Sequence, residues 1–369
     1  MTDSLLYYTV ALALTPNLGP ITVKKLVAYC GNVEDVYKKR TKDLIKIPGL
    51  GKTTVEKIDF DKGKELAESE IKFCEKHNIK ITSYLDKDYP KKLLQCPDSP
   101  IVIFTKGNLE CLNKSKVLSI VGTRNSTMYG KMMVENLIRD IKARSHDITI
   151  VSGLAYGIDV IAHRASVSQK IPTAAILGHG LDKIYPAQHR SVALDILKDD
   201  GVLVTEFPHN AKYEKSNFLR RNRIIAGLSD AVLIAESGIT GGALVTADYA
   251  QGYDRDVFAF PGKIGDQYSA GCNMLIKRNK AVLCEGLSDI EYIMNWDINT
   301  PKLVQQQIFE PLSEAEETVF ELFEDDQPVT MDYLAAKLSI PVHKVAATLL
   351  EMEFKGVITA LPGNQYRRV

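Results

Sequence analysis

The stretch Val117-Leu118-Ser119-Ile120-Val121-Gly122-Thr123-Arg124-Asn125-Ser126 decides the fold of this chain. A mostly apolar run ends on a glycine and an arginine, and a helical pattern begins near Tyr129. Similar runs recur at Ile148–Ser152, Thr173–Leu177, Val202–Thr205, Ala231–Ala235, Val257–Phe260 and Ala281–Cys284. Their starts are 31, 25, 29, 29, 26 and 24 residues apart, with helix-like segments between them. Successive parallel strands need a crossover of a dozen or more residues, so this spacing predicts βα units. Nearly continuous apolar runs suit strands covered on both faces. The expectation is an α/β fold, a Rossmann-like doubly wound and mainly parallel sheet.

Outward from that centre, residues 78–116 read as an irregular lead-in with Tyr89-Pro90 and the Pro97 to Pro100 stretch, giving a core over 78–298. Residues 1–75 read as an N-terminal helical domain with turns at Pro16-Asn17-Leu18-Gly19-Pro20 and Ile47-Pro48-Gly49-Leu50-Gly51-Lys52. The second turn resembles a helix-hairpin-helix, whose free N–H groups can hold a DNA phosphate. A tight packing turn is the competing reading. Residues 299–311 read as a linker. Over 312–369, Ser313-Glu314-Ala315-Glu316 fits a capping box, two more helices follow, and a hairpin around Gly363-Asn364 completes a winged helix.

The 369 residues carry 46 basic and 46 acidic side chains, and 45% are hydrophobic. That balance excludes a mainly disordered or fibrous chain. No run approaches the ~18–20 apolar residues of a membrane span, and Asp3 stands where a signal peptide would carry a basic residue. The six cysteines are scattered without a C-x-x-C, as in a reducing cytoplasm. Charge is uneven, however. Residues 312–369 hold 5 basic and 10 acidic side chains, against 29 and 25 in 76–311. A nucleic acid would therefore meet the middle of the chain, and the acidic winged helix would dock protein.

Ligands of open α/β sheets bind beyond the carboxyl ends of the strands. Four glycine-bearing loops leave strands there: Gly122-Thr123-Arg124-Asn125-Ser126, Gly153 to Gly157, Gly178-His179-Gly180, and Ser237 to Gly242. Glycine lets backbone approach a ligand, helix N-termini favour anions, and Arg124 adds a bidentate fork. Together they describe a phosphate-binding surface. Lys183 stands where a G-x-G-x-x-G fingerprint needs its third glycine, which argues against NAD or FAD; no cofactor is expected. Phe218-Leu219-Arg220-Arg221-Asn222-Arg223 reads either as a cationic rim beside an aromatic or as an internal salt-bridge hub. Asp159 and His163, at i,i+4, read as a helical ion pair orienting the Gly153–Gly157 loop. Neither a metal-ligand set nor a nucleophile elbow is present, so no catalytic or metal residue is expected.

These loops in this order resemble the DprA/Smf family of DNA-processing proteins. The resemblance rests on Ser119 to Arg124, Val151 to Asp159 with Ala162-His163, Gly180-Leu181-Asp182 with Ile184-Tyr185-Pro186, and Thr205 to Pro208. It continues through Phe218, Arg221 to Ile225, Gly241 to Leu244 with Thr246-Ala247, and Phe258 to Gly262. It implies a cytoplasmic, usually dimeric protein that binds and protects single-stranded DNA and loads the RecA recombinase during natural transformation. The family's phosphate-contacting arginine falls on Arg124. Its second basic residue falls near Pro172, which points to Lys170, with Lys183 as the alternative. The expected DNA-contacting set is Gly122, Thr123, Arg124, Ser126, Gly153, Gly157, Lys170, Arg221, Asn222, Arg223, Gly241 and Gly242. Tyr129, Tyr156 or Phe218 would accept unstacked bases. Two rivals remain open: a nucleotide phosphoribohydrolase on a similar scaffold, and an adaptor that binds no DNA.

Overall fold

The computed structural model describes residues 4–48, 50–296, 312–323, 328–361 and 365–368. They fall into two units, Met1–Trp296 and Asp297–Val369. The expected linker at 299–311, Gly49 and the Gly363-Asn364 turn lie outside the described residues.

The first unit opens with α1 (Ser4–Leu14), α2 (Pro20–Cys30), α3 (Val33–Lys38), α4 (Thr41–Leu44), α5 (Lys52–Val55) and α6 (Phe60–His77). Asn32 and Asp59 cap α3 and α6 with their side chains, satisfying N–H groups that have no partner within the helix. Helix α6 lies so close to α1 that a Cβ on Gly63 would stand 2.2 Å from Thr15 Oγ1. The turn before α5 buries Ile47 and Leu50 in the core of this module. A single helical turn, α5, follows it.

The sheet contains β1 (Lys80–Ser83), β2 (Val102–Gly107), β3 (Lys116–Gly122), β4 (Ile148–Ser152), β5 (Thr173–Ile176), β6 (Val202–Thr205), β7 (Ala231–Glu236), β8 (Asp256–Ala259) and β9 (Val282–Leu283). Their spatial order is β1-β2-β6-β5-β4-β3-β7-β8-β9. From β6 to β9 every neighbouring pair is parallel, whereas β1–β2 and β2–β6 are antiparallel. The lead-in thus contributes two strands that sequence reading left irregular. The connection between them holds Pro90, Pro97 and Pro100 and just the one-turn helix Lys91–Leu94, so the βα rhythm is missing there. Ile101, Val102 and Phe104 join the core of the N-terminal helices, so that module and the sheet share one interior.

Alternate residues of β3 face opposite layers. Val117 and Val121 meet the layer of α11 (Lys215–Leu228), α12 (Gly242–Gly252) and α13 (Ala270–Lys277). Leu118 and Ile120 meet α8 (Met128–Ala143), α9 (Ile158–Ser168) and α14 (Leu287–Met294). Helix α7 (Lys91–Leu94) packs beside α11, and α10 (Arg190–Lys198) covers β5 and β6. The chain winds from β3 outward to β6 and then returns to lay β7 on the other side of β3. The β3/β7 boundary is therefore the switch point, where the fold opens a crevice.

In the second unit, α15 (Glu314–Phe320), α16 (Met331–Leu338) and α17 (Val342–Phe354) pack with β10 (Val329–Thr330), β11 (Ile358–Leu361) and β12 (Gln365–Arg368), ordered β10-β12-β11. Ser313 and Glu316 form the expected capping box. Among the described residues no helix is long and apolar enough to cross a membrane.

Gly63→Val should destabilise the first unit by about 1–3 kcal/mol through overpacking at α1. Urea unfolding of the full chain measures it, and a midpoint equal to that of the parent would contradict the α1–α6 packing.

Candidate nucleic-acid interface

The carboxyl end of β7 organises the loop after β3. Glu236 is buried, and its carboxylate accepts from Thr127 N at 2.8 Å and from Thr127 Oγ1 at 2.7 Å. The Glu236 carbonyl accepts from Thr123 N at 2.7 Å. Thr127 in turn caps α8 by accepting from Gly130 N. These bonds fix both ends of the 123–127 segment and leave Arg124 and Asn125 exposed at its crest. Ser126 is half-buried beside them.

The next loop supports that crest from below. Gly157 has a φ of +74°, and a Cβ there would come within 2.2 Å of the Thr123 carbonyl oxygen. Ile158 N donates to that same oxygen at 3.2 Å, so the start of α9 is pinned to the loop bearing Arg124. Gly153 is required for a different reason, since its Cβ would meet the Arg221 guanidinium at 2.2 Å.

Arg221 lies on α11, where the returning chain crosses the strand ends. Its Nη1 donates to the Gly153 carbonyl at 2.7 Å and also to the Ile176 carbonyl. Burial lowers its pKa to about 10, with Asp159 opposing the shift and the Arg124 charge adding to it. It stays charged at neutral pH. Asp159, on the crevice wall, is buried. Burial raises its carboxyl pKa, while the Arg221 guanidinium and backbone N–H groups of the Gly153–Ala155 segment pull it down.

Val121 to Arg124, Ala155, Asp159, Phe218, Arg221, Asn222, Gly241 and Gly242 surround a crevice of about 210 Å³. Ser126 flanks it in sequence, and Gly153 and Gly157 shape its floor from behind. Asn222 Nδ2 donates to the Gly242 carbonyl at 3.3 Å, joining α11 to the first turn of α12. The Arg124 guanidinium lies 5.8 Å from the Phe218 ring centroid and has no ion-pair partner among the described residues.

Two expected basic contacts are corrected. Arg223 is buried and points away from the crevice. Its Nη2 donates to Glu206 at 2.5 Å and its Nη1 to the Asp98 carbonyl at 2.6 Å. Arg220 reaches the same Glu206 at 3.1 Å, so this pair is the internal salt-bridge hub. Lys170 precedes β5 and lies at the amino edge of the sheet, bonded to Asp199 at 2.6 Å. Lys183 follows β5 on the carboxyl edge, 3.5 Å from Asp182. A third correction concerns Asp159 and His163, which form no ion pair. His163 Nδ1 donates to Thr173 Oγ1 at 2.8 Å, because that hydroxyl already donates to the Ile150 carbonyl. Burial drives its pKa down to about 3, and the Arg221 charge adds to the effect.

Sequence reading did not find the aromatic cluster beside Arg124. Tyr185 and Tyr213 meet at a centroid distance of 4.3 Å, and Phe218 lies 5.9 and 5.4 Å from them. Both tyrosines are exposed. Tyr156 is exposed nearby with its hydroxyl on Gln188, whereas Tyr129 donates to the Pro261 carbonyl on the far side of the loop. Tyr185 comes from the loop after β5, while Tyr213 and Phe218 come from the segment entering α11, so no local pattern marks the whole cluster.

Residues 80–295 match the family model of DNA recombination-mediator protein A, and residues 306–364 match that of the DprA winged helix domain. The chain is 31% identical to Protein Smf of Synechocystis sp. over the full length of both. The X-ray structure of DNA processing protein A from Streptococcus pneumoniae superposes with a TM-score of 0.65 at 31% identity, covering 79% of this chain and 98% of that one. A Helicobacter pylori DNA processing protein A structure, described for its single-stranded DNA binding mode, gives 0.52 at 27% identity, over 59% and 97%.

Two stability measurements test this geometry. Gly157→Ala should cost about 1–3 kcal/mol in urea unfolding, through its strained φ and the Thr123 contact. Gly242→Ala, where a Cβ meets nothing within 4 Å, should be neutral or stabilising by up to about 1 kcal/mol. For His163, the unfolded chain takes up a proton near pH 6.5 that the folded chain refuses until about pH 3. Its contribution is whole above pH 6.5 and is lost as pH falls toward 3. Between pH 6.5 and 5 the parent should lose up to about 1.4 kcal/mol per pH unit from this group. His163→Gln should lack that component, and identical slopes would exclude it.

Proposed function

From the premise that this chain belongs to the DNA recombination-mediator protein A (DprA/Smf) family, we propose that the carboxyl edge of its sheet binds single-stranded DNA. In this reading the Arg124 guanidinium and the exposed backbone of 122–126 and 241–242 hold phosphates. Tyr185, Tyr213, Phe218 and Tyr156 receive unstacked bases. Phosphate contacts position a strand without reading it, and aromatic faces accept any base, so sequence preference should be slight. A duplex keeps its bases stacked and gains less from the rings.

The observation that carries this reading is the pairing of an exposed Arg124, which has no carboxylate partner among the described residues, with an aromatic cluster whose two tyrosines are exposed. Arg220, Arg223 and Lys170 are all committed to carboxylates within the fold, which leaves Arg124 to meet a phosphate. Arg221 is the floor beneath it, its charge opposed by buried Asp159. Lys183, on the carboxyl edge and 3.5 Å from Asp182, replaces Lys170, which lies on the opposite edge, as the second basic candidate. Asp159, bound up with Arg221, is poorly placed as a general base, which favours binding over hydrolysis.

RecA is the proposed protein partner, through family membership, and two copies of the sheet domain would form the working dimer. We assign the winged helix to protein docking. Its α17 turns Leu350 and Phe354 to solvent, 53% and 83% exposed, where a DNA-reading helix would carry basic side chains.

A salt titration of oligothymidylate binding tests the assignment. Log K should fall linearly with log salt, and Arg124→Ala should flatten the slope by roughly 0.7 for each phosphate it no longer neutralises. Unchanged slope and affinity would refute it. Base release from nucleoside monophosphates that vanishes in the same variant would favour the hydrolase.

A further inference from the structure

The aromatic cluster depends on the loop that joins β6 to α11. Residues 206–214 connect β6 to α11 and carry Tyr213, and α11 then presents Phe218. Beneath this loop, a cavity of about 420 Å³ separates Phe207, Pro208, Ala211, Lys212 and Glu214 from the α1–α2 turn. On that side the loop lacks close packing.

Beyond the Glu206 ion pairs at its start, its anchor comes from α6, in the N-terminal module. Glu70 is only 2% exposed, and one carboxylate oxygen accepts from His209 N at 2.8 Å and lies 2.6 Å from His209 Nδ1. Phe73, one turn further along α6, stacks on the His209 ring at 4.3 Å with an interplanar angle of 6°. The anchored segment then abuts the loop after β5, since a Cβ on Gly180 would stand 2.4 Å from the Pro208 carbonyl oxygen and 2.8 Å from the His209 Cα. That β5 loop leads to Tyr185. His179 also stacks on Tyr213, at 5.9 Å. A continuous chain of contacts thus runs from Glu70 to both exposed tyrosines.

We propose that Glu70, Phe73 and His209 are positioning residues, through which the N-terminal helical module holds Tyr213 and Tyr185 in register as a stacking surface for bases. None of the three touches DNA. The inference rests on the single-strand reading above and assigns the helical module a role in that site. A buried carboxylate bonded to both the backbone and the ring of one residue fixes where the loop leaves α6. Without it, the loop gains the freedom of the space beneath, and the rings lose their preorganisation.

The experiment compares oligothymidylate with an abasic deoxyribose-phosphate oligomer of equal length, using the full chain. Glu70→Ala and His209→Ala should each weaken oligothymidylate binding roughly five- to tenfold, the effect of unstacking one base from an aromatic ring. Binding of the abasic oligomer should change less than about twofold, with an unchanged salt slope, since no phosphate contact is removed. The double variant should be no weaker than the worse single variant, because both break one link. Glu70→Gln, which keeps an acceptor for His209 N, should recover part of the affinity. Arg124→Ala is the control for the underlying reading and should weaken both oligomers. If Arg124→Ala has no effect, the binding site itself is misassigned. If Arg124→Ala acts as expected but Glu70→Ala and His209→Ala bind oligothymidylate like the parent, or weaken both oligomers equally, the positioning role is overturned.

Discussion

A buried guanidinium spanning two strand ends is the constraint on which this site depends. Arg221 joins the carbonyls of Gly153 and Ile176 and faces Asp159, so it ties α11 to the carboxyl ends of β4 and β5. Burying an arginine is costly unless its charge is matched and its N–H groups are bonded. Asp159 opposes the charge and the two carbonyls accept from Nη1, while Nε is left without a hydrogen-bond partner among the described residues. Removing the guanidinium would leave a buried carboxylate and two bare acceptors at the base of the crevice. Phe218 and Asn222 stand on the same helix, so the position of Arg221 sets one wall of the site.

A second constraint is steric. The loop bearing Arg124 rests against the start of α9 so closely that residue 157 cannot carry a side chain, and Gly153 yields its Cβ volume to Arg221. Glu236 locks the same loop from the β7 side. The crest is therefore presented by backbone bonds, and an incoming strand would find Arg124 preorganised. Placing the cation on a rigid turn reduces the ordering cost of binding.

The basic residues show where local sequence stops being informative. Arg220, Arg221 and Arg223 occur within four positions, yet they meet three environments: one half-exposed on Glu206, one beneath the crevice, one inside the Glu206–Asp98 hub. A helix repeats every 3.6 residues, so near neighbours diverge in direction, and what each meets depends on distant segments. Lys170 fails for a topological reason. A residue preceding a parallel strand sits at the edge opposite the loops that follow such strands. The aromatic cluster was hidden because Tyr185, from the loop after β5, meets Tyr213 and Phe218 of the distant segment entering α11.

What the chain's order of residues determined by itself was the rhythm of strands and helices, the capping box at Ser313, the glycine-bearing turns, and Arg124 at the crest of the first of them. These features follow from local rules: strand and helix periodicity, backbone freedom and capping chemistry all act over a few residues. Only the folded chain decided which charges are spent internally, that β1 and β2 extend the sheet antiparallel, and that Glu70 of a helix far upstream holds the loop of Tyr213. Those outcomes depend on contacts between residues far apart in the chain, and pairings of that kind are set by how the layers close over one another.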